Sequence, residues 1–164
     1  MNLKVLLKKQ GMLDDTIRLR SGIVRQRNQK NEMALLVELG ELANEVQSFK
    51  YWKLNKTIDF SKIKEEWADC LHFALMIEIS KRKVGYIVDT TTWFDELPRS
   101  LIDDDEAITK AFSTAFDLII NRKEISPIKT IIRLGYQLGM TDDEMAEEYN
   151  KKWEKNVKRQ EDKY

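Results

Sequence analysis

The sequence predicts an all-α protein, a helical bundle, on three observations. Apolar residues recur at three- and four-residue spacing along most of the chain. Helix-opening signals recur ahead of those segments, and neither an alternating strand pattern of useful length nor an internal repeat is present. Only two prolines and six glycines interrupt the pattern.

The first helix is expected over Asn2 to Gln10, and a second from Leu13 to beyond Arg20. Glu32 to Lys53 reads as one long helix, because Leu35, Leu39, Leu42, Val46 and Phe49 form a single apolar seam. Ser61, followed by Glu65 and an apolar-periodic stretch, opens a helix to about Lys81. Val84 to Leu101 contains Gly85, Pro98 and the β-branched run Thr90, Thr91, Thr92, so a connecting loop is expected there. Helix resumes over Glu106 to Asn121. Ser126-Pro127 pairs an N-cap with proline at the first helical position, opening a helix to Leu138. Thr141-Asp142-Asp143-Glu144 is a capping box that opens the last helix, to about Gln160.

A chain of 164 residues can bury a real core as one domain, residues 1–164. Lys plus Arg and Asp plus Glu are each 28, so the whole-molecule basic field that favours nucleic acid is missing, and no nucleic-acid partner is expected. The longest apolar run, Leu71 to Ile77, is too short to cross a bilayer, so no membrane partner is expected either. The N-terminal residues show no secretory h-region, and the lone Cys70 suits a reducing compartment. The expected location is cytoplasmic.

Two acidic pairs carry the chemistry. Glu38 and Glu41 are separated by residues 42 to 65 from Glu66 and Asp69, and each pair is spaced i and i+3 inside an apolar helical segment. At about 100° per residue, with Leu35 as zero, Glu38 falls near about 300° and Glu41 near about 240°. With Ile63 as zero, Glu66 and Asp69 fall at the same two angles, beside a seam of Trp67, Cys70, Ala74 and Ile77. If the two seams pack antiparallel, the four carboxylates converge. They cannot all stay ionised in a half-buried place without a compensating cation, so the pattern asks for a metal. All-oxygen ligation points to magnesium (Mg2+) or manganese (Mn2+). A single histidine is too few for the Glu-x-x-His motifs of a di-iron bundle. Magnesium between carboxylates and phosphate implies phosphoanhydride hydrolysis.

At these residues the chain resembles the all-α nucleoside triphosphate pyrophosphatases, whose signature is Glu-x-x-Glu, a spacer, then Glu-x-x-Asp. Further blocks resemble the dimeric dUTPase branch, especially its phage and Gram-positive bacterial forms. Leu36 to Glu45 runs into Phe49-Lys50-Tyr51-Trp52-Lys53, and Asp69-Cys70-Leu71-His72-Phe73 matches Asp-x-x-His-Phe. Lys152, Asn156, Arg159, Gln160 and Tyr164 match a C-terminal Lys-x-x-x-Asn-x-x-Arg-Gln-x-x-Gly-Tyr pattern, with Lys163 in place of the glycine. Gln10 to Asp14 resembles an element that recognises the pyrimidine.

The resemblance implies a homodimer that hydrolyses dUTP to dUMP and pyrophosphate, with two or more magnesium ions held by Glu38, Glu41, Glu66 and Asp69. Glu38 is the implied group for activating water. The implied substrate contacts are Gln10 and Asp14 at the base, His72 near base or sugar, and Trp52 in stacking. Lys50, Lys53, Lys152, Asn156 and Arg159 are the implied phosphate contacts. Two alternatives stay open: a related pyrophosphatase acting on dCTP or a modified nucleotide, and a non-catalytic helical protein using the acidic cluster to bind a partner.

Overall fold

A computed structural model describes residues 1–22, 28–83, 101–121 and 125–162, and within them the chain forms six helices and no strand. The expected loop over Val84 to Leu101 lies almost wholly outside the described residues, as do Trp93, Phe94, Lys163 and Tyr164.

Helix α1 spans Leu3–Ser21. Asn2 caps it, its Oδ1 accepting from the backbone N–H of Lys4 at 3.1 Å and of Val5 at 3.3 Å. The two helices expected here are one, because Gly11 is carried through the helix rather than ending it. The stop comes at Gly22, whose φ of 67° is the left-handed cap that glycine adopts without strain.

Helix α2, Asn28–Val46, ends seven residues before the expected Lys53. Gln47 takes a left-handed φ of 59°, which turns the chain out of the helix. Its amide then donates to the Thr57 carbonyl at 3.0 Å, tying down the loop that follows. Phe49 consequently leaves the seam and is partly exposed. Helix α3, Phe60–Lys83, is opened by Asp59 rather than Ser61: Asp59 Oδ1 accepts from the Ser61 N–H at 3.0 Å.

Helices α4 (Asp105–Asn121), α5 (Pro127–Gln137) and α6 (Asp142–Glu161) lie close to the expected bounds. The capping box at α6 is complete: Thr141 Oγ1 accepts from Glu144 N–H at 3.3 Å, and Glu144 Oε2 accepts from Thr141 N–H at 2.9 Å.

Helix α3 is the hub, packing against α1, α2, α5 and α6. Its residues Ile63, Trp67, Cys70, Leu71, Ala74 and Ile77 are buried and meet Leu35, Leu39 and Leu42 of α2 in one core. The α2–α3 pair is antiparallel, since position 38 lies beside 66 and 69 while position 47 reaches 57. Close packing of α5 rests on Gly135, where a Cβ would meet Trp67 Nε1 at 2.7 Å and Met145 Sδ at 2.8 Å. The same indole donates to the Ile131 carbonyl at 2.9 Å, so Trp67 is pinned and cannot swing aside. Among the described residues no helix is long and apolar enough to cross a membrane.

Candidate metal and nucleotide site

Glu38, Glu66 and Asp69 each precede a fully buried residue, respectively Leu39, Trp67 and Cys70. Burying those neighbours in the α2–α3 seam holds each carboxylate at its rim, half-buried. One oxygen from each of Glu38, Glu66 and Asp69 lies within 4.8 Å of the others. Glu41 is exposed and stands outside that close group, yet it lines the same cavity.

The electrostatics follow from the crowding. Burial pushes the Glu38 carboxyl up to about 7, with the charges of Asp69, Glu41 and Glu66 adding to the rise and Lys152 opposing it. Glu66 is raised by burial and then by Asp69 and Glu41. Asp69 is raised by burial against the pull of Lys152. Burial is the main cause throughout, and clustered negative charge adds to it at Glu38 and Glu66. A hard divalent cation both neutralises it and prefers oxygen ligands, so the donor set fits such a metal.

The cavity beside the cluster has a volume of about 660 Å³, within the usual size for a small-molecule site. Helix α6 brings Lys152, Lys155, Asn156, Arg159 and Gln160 to it, from across the carboxylates. Lys152 Nζ pairs with Asp69 Oδ2 and lies 3.4 Å from Glu65 Oε1, which Lys155 Nζ approaches to 2.9 Å. Burial works against the Lys152 ammonium, but its bonds to Asp69 and Glu65 outweigh this and raise its pKa. Lys64 of α3 holds Glu144 of α6 at 2.6 Å, a second tie that keeps α6 against α3.

Helix α1 supplies Gln10, Leu13 and Ile17, and α3 adds His72, Phe73 and Met76. The second end of the cavity therefore mixes apolar walls with two hydrogen-bonding groups. His72 is buried, and burial holds its imidazole down at about 4, so the ring is neutral at pH 7. Its Nε2 lies 3.4 Å from the Tyr149 carbonyl, while Nδ1 has no partner among the described residues.

Of the residues expected from sequence, Gln10, Glu38, Glu41, Glu66, Asp69, His72, Lys152, Asn156 and Arg159 all line this one cavity. Asp14 is buried and hydrogen-bonded to Gln10 rather than part of the lining. Lys50, Trp52 and Lys53 do not line it either; they sit in the turns after α2, with Trp52 62 % exposed. Lys50 Nζ donates to the Asn44 carbonyl and Lys53 Nζ to Gln47 Oε1, so both lysines brace the turn.

Sequence reasoning missed Glu65, Lys155 and Tyr149. Glu65 adjoins Glu66, and Lys155 follows Lys152 by three residues, so helical spacing could have found both. Tyr149 carried no local signal, because its partners are on α1 and α3.

An all-helical chain with a carboxylate cluster opposite a cationic helix, in one nucleotide-sized cavity, defines a candidate hydrolase of nucleotide polyphosphates. A family model described as dUTPase matches residues 2–164, and the chain belongs to that family. Its activity is that of a dUTP diphosphatase. No curated protein matches the chain.

Proposed function

We propose that the chain, as one domain over residues 1–164, hydrolyses dUTP to dUMP and pyrophosphate with two or more magnesium ions. Glu38, Glu66, Asp69 and Glu41 would hold them, with manganese able to substitute. The observation that carries this reading is the close group of Glu38, Glu66 and Asp69 facing the α6 cations across a single cavity. Bound there, such ions supply positive charge to the phosphates and polarise water.

The chain's own residues divide the remaining work. Glu38, beside Glu66 and Asp69 at the cavity, is the proposed group that takes the proton of the attacking water. Its position beside Glu66 and Asp69 keeps that base at the phosphate end. Lys152, Asn156 and Arg159 bind and orient the phosphate chain, Lys152 exchanging its carboxylate contacts for phosphate oxygens. Gln10 and His72 hold the uracil and sugar end, with Leu13, Ile17 and Phe73 excluding water around them. Water attacks a phosphorus, the anhydride bond between the α and β phosphates breaks, and pyrophosphate leaves.

Lys50, Trp52 and Lys53, on the turns after α2, are proposed as further substrate contacts. The same chain is proposed to act as a homodimer. Supporting this are exposed apolar residues on α1 and α2 (Met12, Leu19, Met33 and Val37) and the exposed Tyr51, Trp52 and Leu54 of the loop.

Metal-dependent pyrophosphate release, measured across dUTP, dCTP, dTTP and dATP, tests the reading. Preference for dUTP with either Mg2+ or Mn2+ supports it. Equal rates on dCTP or dTTP would sink the base assignment, and turnover undiminished in chelator would sink the metal. dUDP carries the same α–β anhydride and belongs in the panel. Light scattering on the purified protein tests the dimer.

A further inference from the structure

Gln10 is 1 % exposed, yet its side chain reaches the cavity wall with both polar ends already engaged. Nε2 donates to Asp14 Oδ1 at 2.7 Å. The Tyr149 hydroxyl sets its one proton between two acceptors, Gln10 Oε1 at 3.3 Å and the Leu6 carbonyl at 3.2 Å. A carboxylate accepts and does not donate, so the amide nitrogen must face Asp14. Turning the amide over would set Oε1 against a carboxylate oxygen.

Tyr149 also reaches the other polar group on that wall. Its ring stacks on His72 with centroids 4.5 Å apart and 15° between planes. It is fully buried. One residue of α6 therefore touches Gln10 of α1 and His72 of α3, although it does not itself line the cavity.

We propose that Tyr149 is a positioning residue for base selection: Asp14 sets which way the Gln10 amide faces, and the Tyr149 hydroxyl packed beside Oε1 keeps it from turning. The amide then offers its remaining N–H and its remaining lone pair in a fixed order. Uracil presents an O4 acceptor beside an N3–H donor, whereas cytosine presents an N4 donor beside an N3 acceptor, the reverse pattern. A freely turning amide satisfies either base. A clamped amide rejects one of them, because a mismatched pair leaves two buried polar groups facing without a hydrogen bond. This inference rests on the reading of Gln10 as a base contact.

Tyr149→Phe deletes the hydroxyl and keeps the ring on His72, and it is tested by steady-state kinetics on dUTP and dCTP. The expected result is a raised KM for dUTP with kcat held, and a dUTP:dCTP ratio of kcat/KM lowered by about tenfold. A purely structural role for Tyr149 would shrink the active fraction instead. In that case kcat falls equally for both nucleotides, KM and the ratio stay put, and the inference is overturned. Gln10→Ala, assayed alongside, separates the two layers. If it lowers the ratio while Tyr149→Phe does not, the Tyr149 inference fails and the Gln10 reading stands. If Gln10→Ala leaves the ratio unchanged, the Gln10 reading fails and takes the inference with it. Adding Tyr149→Phe to Gln10→Ala is expected to lower the ratio no further, the non-additivity of a residue acting through another. Full additivity would overturn the clamp.

Discussion

Lys152 on α6 pairs its ammonium with the carboxylate of Asp69 on α3, inside the acidic cluster, and Glu65 shares that ammonium at 3.4 Å. The chain thus places one of its own cations among the carboxylates assigned to metal. The pair is mostly buried, with side-chain exposures of 12 % for Lys152 and 16 % for Asp69. In the proposed reaction this ammonium would compete with an incoming metal for Asp69 and, once released, would turn to phosphate.

Replacing Lys152 by Met should therefore move two measurements in opposite directions. Calorimetric affinity for Mg2+ should rise by up to about tenfold, the equivalent of about 1.4 kcal/mol. At the same time kcat/KM for dUTP should fall by about tenfold or more, because a charge-assisted phosphate contact is lost. Metal affinity that drops or stays level would show that the ammonium is no competitor.

Glu38 predicts a pH signature in metal-free protein. Its folded-state value of about 7 lies above the ordinary 4.5, so the folded chain holds the proton more tightly than the unfolded one. That contribution to stability is complete below pH 4.5 and is lost as pH rises through about 7. Glu38→Gln should remove the fall, so that at pH 8 without metal the variant melts a few degrees above the parent. Added Mg2+ should raise the parent's melting temperature more than the variant's. Turnover of Glu38→Gln should be lower by at least about a hundredfold.

His72 carries the opposite sign. Its folded-state value of about 4 lies below the ordinary 6.5, since burial disfavours the charged ring. The unfolded chain takes the proton first, so stability is intact above 6.5 and is lost as pH falls toward about 4. As the only histidine in the chain, it gives one unambiguous imidazole signal in NMR. That signal should still be neutral at pH 6; a midpoint near 6.5 would contradict the burial argument.

Gly135 is the sharpest packing prediction. Alanine normally favours a helix interior over glycine by about 1 kcal/mol, but here the added Cβ meets a pinned indole at 2.7 Å. Overpacking of this kind costs about 1–3 kcal/mol, and in a chain of this size each kcal/mol shifts melting by about 2–4 °C. Gly135→Ala should melt several degrees lower by calorimetry. A stabilised variant would mean that α5 shifts without penalty.

Helix content was legible because its causes are local. The Thr141 capping box, Pro127 at a helix start and the Leu35, Leu39, Leu42 seam are each readable within a turn or two. The end of α2 was not legible, because Phe49 continues the apolar spacing while the backbone has already turned left-handed at Gln47. Lys50, Trp52 and Lys53 left the helix with it, which is why they miss the cavity that Lys152, Asn156 and Arg159 reach. The bend is held by the Gln47–Thr57 contact, a partner ten residues away that no helical wheel contains.

By itself the sequence determined that the chain is helical, that two acidic i,i+3 pairs lie beside apolar seams, and that its blocks resemble one enzyme family. Periodicity and short motifs are properties of neighbouring residues, and they survive without knowledge of the packing. Tertiary structure alone decided that Glu38, Glu66 and Asp69 close into a group while Glu41 stays exposed at its edge. It also decided that Lys152 enters that group, and that Tyr149 joins Gln10 to His72. Those relations depend on how α1, α2, α3 and α6 rotate and slide against one another, which their shared buried core sets and no single helix encodes.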